Sequence, residues 1–250
     1  MSESPRARLV LFGGQSNMLG HRLATGGAKP RSPRVRAWDN RGAEGRWRVA
    51  ELGQAPFNEV AGPEGRVANN LALHFAVLLA EHLDEDVYLV GHAVNGSTIL
   101  TWEGEVAENL SRLVTETNYA LHSPELAERG VDTVDTMLWH QGESDEPEAT
   151  MVPTRLLTLE DYRAAFERMR AALARQPWWT GETRFIAGEL VRDGWLSARN
   201  DFWSAGGLGG PRDAVASSEG LGHTGDAAHF DGEALATLGR RMYEARLRLP

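Results

Sequence analysis

The chain has 250 residues, of which 42% are hydrophobic and 24% charged, ordinary globular proportions that allow a sizeable core. It has no cysteine, which excludes disulfides, thiolate metal sites and cysteine nucleophiles. A net charge of −9 argues against general nucleic-acid binding, and no apolar stretch approaches membrane-spanning length, so neither a nucleic acid nor a membrane is an expected partner.

The first residues, Met1–Arg6, lead into only four strongly apolar residues, too few for a secretory signal, so a cytoplasmic location is expected. Those four, within Arg8–Phe12, read as a buried strand, and Gly13-Gly14 mark a sharp exit. Ser16 in Gly13-Gly14-Gln15-Ser16-Asn17-Met18 then stands at the carboxyl end of a strand, where open α/β sheets keep their sites. Two readings are open for it. It caps a helix, or it is a nucleophile whose own N–H also faces developing negative charge.

A long loop, His21–Pro63, follows. Between Arg22 and Arg48 it carries Lys29, Arg31, Arg34, Arg36, Arg41 and Arg46 against Asp39 and Glu44. This is a solvated loop, or a basic rim beside Ser16 that favours an acidic substrate such as a sialate or uronate. Leu71, Phe75, Leu78 and Leu79 recur at helical spacing and predict a helix over Arg66–Leu83. Asp86–Val94 reads as the next strand. Its exit, Asn95-Gly96-Ser97, sets a glycine where the backbone can approach a ligand and present its N–H.

Val134–His140 is a third strand, and its exit, Gln141-Gly142-Glu143-Ser144-Asp145, offers the Gln141 amide as a donor. A helix over Glu160–Arg175, a strand over Thr183–Leu190 and a final helix capped by Asp231 complete the pattern. Strands alternating with helices imply one domain over residues 1–250, a three-layer α/β/α sandwich with a central parallel sheet. The loops His21–Pro63, Gly96–Gly104 and Glu143–Leu159 would then gather with Ser16 at one sheet edge, with Asp193–Asp226 a further long loop.

Near the C-terminus, Asp226 and His229 stand three apart in a turn and can bring a carboxylate against one imidazole nitrogen. The other nitrogen is then free to take a proton from a serine hydroxyl. The N–H groups of Ser16 and Gly96 with the Gln141 amide would form an oxyanion hole. Glu143 is either a second carboxylate for His229 or a structural acid bonding the Ser16 loop, the structural role being preferred. His223, Asp226, His229 and Asp231 could instead hold a divalent metal. A non-catalytic carbohydrate-binding protein is another alternative, since the eight tryptophans, Trp38, Trp102, Trp178, Trp179, Trp195 and Trp203 among them, suit sugar stacking as well as core packing.

Gly-Gln-Ser-Asn-Met after the first strand, the Gly96-Ser97-Thr98 turn, His140-Gln-Gly-Glu-Ser-Asp145 and the late Asp226-x-x-His229 together resemble the SGNH hydrolases, and more closely their sialate O-acetylesterase and acetylxylan esterase branch. The resemblance implies a flavodoxin-like fold and a serine esterase with no metal or cofactor, acting on a small acetylated sugar or oligosaccharide. It makes Ser16 the nucleophile, His229 the base and Asp226 its orienter, with Gly96 and Gln141 completing the oxyanion hole. Asn17, Asn95 and Trp102 are expected at the substrate. Two departures stand out: Gln141 replaces the Asn of the wider superfamily, and Asn95 replaces a glycine common in the branch.

Overall fold

A computed structural model describes residues 6–41, 45–103, 107–145, 158–192, 199–204 and 207–250. In chain order the elements are β1 (Ala7–Gly14), α1 (Ser16–Leu19), β2 (Val35–Asp39), β3 (Arg46–Val49), α2 (Leu71–Leu83), β4 (Asp86–Ala93), α3 (Glu108–Leu121), α4 (Pro124–Ala127), β5 (Thr136–His140), α5 (Leu159–Ala174), β6 (Arg184–Gly188), α6 (Asn200–Ser204), β7 (Asp213–Ala216) and α7 (Gly232–Leu247). The strands form one sheet in the order β3-β2-β4-β1-β5-β6-β7. Every pairing is parallel except β2 with β3 at one edge. The sheet is therefore mostly parallel, where an all-parallel one was expected.

Both faces of β1 are buried, which explains its unbroken apolar run. Leu9 and Leu11 enter one core with Trp139, Phe166 and Phe185, while Val10 and Phe12 enter the other with Leu71, Leu235 and Leu238. All four β1 side chains are fully buried, as a central strand covered by helices on both sides requires. Asp231 caps α7 by accepting from Ala234 N at 2.8 Å, a contact worth about 1 kcal/mol.

From β1 the chain goes to the edge pair β2 and β3 on one side, returns to β4 beside β1, then crosses over and winds outward on the other side through β5, β6 and β7. That reversal makes the carboxyl ends of β4, β1 and β5 the topological switch point, where open α/β sheets bind ligands. The stretch expected as the loop His21–Pro63 contains β2 and β3, and Asp193–Asp226 contains α6 and β7. Glu44, Trp195 and most of the loop Glu143–Leu159 lie outside the described residues. Among the described tryptophans, Trp38, Trp102, Trp178 and Trp203 are buried in the core and Trp179 is partly buried against it, so these do not make a sugar platform. No helix among the described residues is long and apolar enough to cross a membrane.

Candidate active site

The exits of β1 and β5 are locked together. Gln15 N donates to His140 O at 3.0 Å, and Gly14 has a φ of +143°. A Cβ on Gly14 would lie 2.0 Å from His140 O, so only glycine allows this approach. Ser16 then opens the single turn of α1. Its Oγ lies 2.9 Å from His229 Nε2, and His229 Nδ1 lies 2.6 Å from Asp226 Oδ2.

Asp226 is held in place by its own loop, its Oδ1 accepting from Ala228 N and His229 N. Burial pushes its carboxyl up, but the hydrogen bonds from the His229 ring and these N–H groups together pull it well below the ordinary carboxylate range. It therefore stays an anion in mild acid, able to orient the imidazole. A cavity of about 420 Å³ opens beside Ser16 and His229, bordered also by Gln15, Gly96, Glu143 and Ser144. The backbone N–H groups of Ser16 and Gly96 are bonded to no other described residue. Gly96 has a φ of +69°, the left-handed conformation its turn requires.

The remaining expected residues divide. Asn95 is exposed and borders the cavity. Asn17 does not face it: fully buried, its Nδ2 donates to Glu143 Oε1 and Ala228 O while its Oδ1 accepts from Phe230 N. It ties the Ser16 turn to the His229 loop. Trp102 is also fully buried, its Nε1 donating to Ser97 Oγ and its ring set edge-on to Trp139. Both are packing residues, not substrate contacts.

Gln141 is corrected too. Its side chain is fully buried away from the cavity, and Nε2 donates to Ser97 O and to the Asp145 carboxylate. With both N–H bonds so directed, it braces the Gly96 turn from below and offers no donor to the cavity. Gln15 and Ser144 stand there instead, joined by a 3.2 Å hydrogen bond. Glu143 takes the structural part: it bonds Asn17 at 2.6 Å and lies 3.2 Å from His140 Nδ1, while His229 Nδ1 is taken by Asp226. Burial pushes the Glu143 carboxyl up, yet His140 and the Asn17 amide bring it below its usual range.

The alternative metal set does not assemble. Asp231 caps α7, His223 Nδ1 accepts from Gly225 N and Ala227 N, and no group of three potential ligands occurs among the described residues. The cavity's other lining residues, His21, Arg22, Asn58 and Val60, come from the predicted loop and carry no motif that singles them out.

Asp145, beneath the Gly96 turn, accepts from Ile99 N with both oxygens at 3.0 Å. Burial pushes its carboxyl up to about 6 against the pull of the Gln141 amide, the Ile99 N–H and Arg199. A carboxyl raised in the folded state stabilises the fold fully below its unfolded pKa of about 4. That contribution is lost as pH rises through about 6. Asp145→Asn is therefore expected to gain stability relative to wild type between pH 4 and pH 7. Urea midpoints at both pH values check this, and a constant gap counts against it.

A search of curated protein sequences finds no match. Among solved structures, the chain is similar to a protein from Arabidopsis thaliana, with 20% identity, 98% of each chain covered and a TM-score of 0.73. It is similar to NanS, with 14% identity, 98% of each chain covered and a TM-score of 0.65. A carbohydrate acetylesterase from Xanthomonas citri shares 17% identity at a TM-score of 0.59, over 97% of this chain and 56% of that one. These likenesses show a shared α/β fold. The family described as "Carbohydrate esterase, sialic acid-specific acetylesterase" matches residues 6–248. With that match spanning nearly the whole chain, the protein belongs to this family of carbohydrate esterases.

Proposed function

We propose that the protein is a serine esterase that removes O-acetyl groups from a carbohydrate through an acetyl-Ser16 intermediate. The observation that carries this reading is the unbroken relay from Ser16 Oγ to His229 Nε2 at 2.9 Å and from His229 Nδ1 to Asp226 Oδ2 at 2.6 Å. His229 takes the Ser16 proton as Oγ attacks the ester carbonyl. The developing oxyanion is met by the N–H groups of Ser16 and Gly96. The imidazolium then returns the proton to the departing sugar alkoxide. Water, deprotonated by the same nitrogen, cleaves the acetyl-serine to acetate and restores the hydroxyl.

One exposed cation at the cavity, Arg22, favours an acidic sugar. Across the basic segment, acids absorb the arginines: from elsewhere Glu51 pairs with Arg31, Asp84 with Arg34 and Glu125 with Arg36, and from within the segment Asp39 pairs with Arg41, Arg46 and Arg48. Lys29 is turned onto the carbonyls of Thr25 and Val67. Arg22 alone of this set borders the cavity and makes no ion pair to a described residue. The alternative of a basic rim thus reduces to one guanidinium, suited to a substrate carboxylate.

Acetate release from acetylated sialate, acetylated xylo-oligosaccharide and p-nitrophenyl acetate tests both statements. The wild type is expected to prefer the acidic sugar. Arg22→Ala is expected to raise KM about tenfold for that substrate alone, as loss of one charged hydrogen bond at an exposed site implies. An equal change on all three esters would remove Arg22 from recognition. No acetate from any of them would overturn the esterase reading in favour of carbohydrate binding.

A further inference from the structure

The relay leaves one ring of the cavity without a role. His21, just beyond α1, lies flat against His229, with ring centroids 3.8 Å apart and planes 15° apart. The backbone carrying it is pinned, since Ala24 N donates to His21 O and Asn58 bonds the preceding carbonyls of Leu19 and Gly20.

The base has need of such a wall. Its two hydrogen bonds, to Ser16 and Asp226, run through the ring nitrogens in the ring plane and resist out-of-plane rotation of the ring only weakly. The side chains of His229 and Asp226 are also 23% and 41% exposed, so water competes for the bond between them. A flat neighbour against one face blocks that rotation and excludes water there. We propose that, within the esterase reading above, His21 is a positioning residue whose stacked ring holds the His229 imidazole in line between Ser16 and Asp226.

The charge state of His21 suits this part. Burial and the neighbouring His229 push it down to about 4, with Arg22 acting the same way and Asp226 opposing. Its Nδ1 is buried and hydrogen-bonded to no described residue. The ring is therefore neutral near pH 7, when His229 must gain and lose a proton. No like charge opposes the imidazolium, and the face of a neutral ring attracts it.

The test is a set of variants assayed for kcat and KM on one ester and for the rate at which an organophosphonate labels Ser16. His21→Ala is expected to lower kcat and labelling about 10–30-fold with KM unchanged within about twofold. His21→Phe, which keeps a flat ring, is expected within about threefold of wild type, and His21→Leu to resemble His21→Ala. Should His21→Ala not fold, as judged by circular dichroism, the Phe and Leu variants carry the comparison. Full activity in His21→Ala or His21→Leu, a His21→Phe as slow as His21→Leu, or a change confined to KM would each overturn the proposal. Ser16→Ala belongs in the same series: wild-type turnover there defeats the esterase reading itself, whereas an inert Ser16→Ala beside an active His21→Ala defeats only the positioning role.

Discussion

Ser16→Ala is expected to lower kcat by about 10⁴–10⁶-fold while the protein remains folded. The hydroxyl makes one hydrogen bond, to His229 Nε2, and that nitrogen borders the cavity, so its loss leaves no buried group stranded. His229→Ala is expected to fall to a similar level, and the double variant hardly further, because nucleophile and base act as one unit. Asp226→Asn is expected to cost about 10⁴-fold, since an amide at that position favours the wrong imidazole tautomer. Acetate release under saturating ester, with circular dichroism on each variant, checks the series. Turnover within tenfold of wild type in Ser16→Ala or His229→Ala would exclude the acyl-serine route.

Glu143→Ala is the second large effect, and it falls on stability. Glu143 is almost wholly buried, accepts from Asn17 Nδ2 and lies 3.2 Å from His140 Nδ1. Truncation strands both partners in the interior, at a cost of about 3–5 kcal/mol. At this chain length that corresponds to a drop of roughly 6–20 °C in Tm. The Ser16 turn should loosen as well, because Asn17 is its tie to the His229 loop. Glu143→Gln keeps an acceptor for Asn17 and should lose clearly less stability. Thermal and urea unfolding distinguish this from the other reading of Glu143: a second carboxylate serving His229 would show Glu143→Gln slow but fully stable.

What could be read in advance, and what could not, follows from range. The strands β1, β4, β5 and β6 are apolar on both faces, so their runs stand out locally, and the small residues at their ends mark the exits. Strand β2, Val35-Arg36-Ala37-Trp38-Asp39, has too few apolar residues to stand out, and its arginine meets Glu125 only in three dimensions. Helix α3 has a mixed composition and escaped notice for the same reason. The Gln141 amide turns into the interior, because spacing says which residue ends a strand, not which side of the sheet edge its amide takes. In the sequence Trp102 suits sugar stacking as well as core packing, and only its three-dimensional neighbours Trp139 and Ser97 decide for packing. Nothing local marks His21, since its partner His229 arrives from the far end of the chain.

That distance has a consequence in time. Ser16 and His229 are 213 positions apart, so on the proposed mechanism a ribosome delivers the hydroxyl about 10–40 s before the base that would arm it. Throughout that interval the growing chain carries a nucleophile turn with no proton acceptor. Translation stopped anywhere short of His229 therefore yields a chemically silent product. On that mechanism, hydrolytic competence waits until His229 has been made and has reached Ser16.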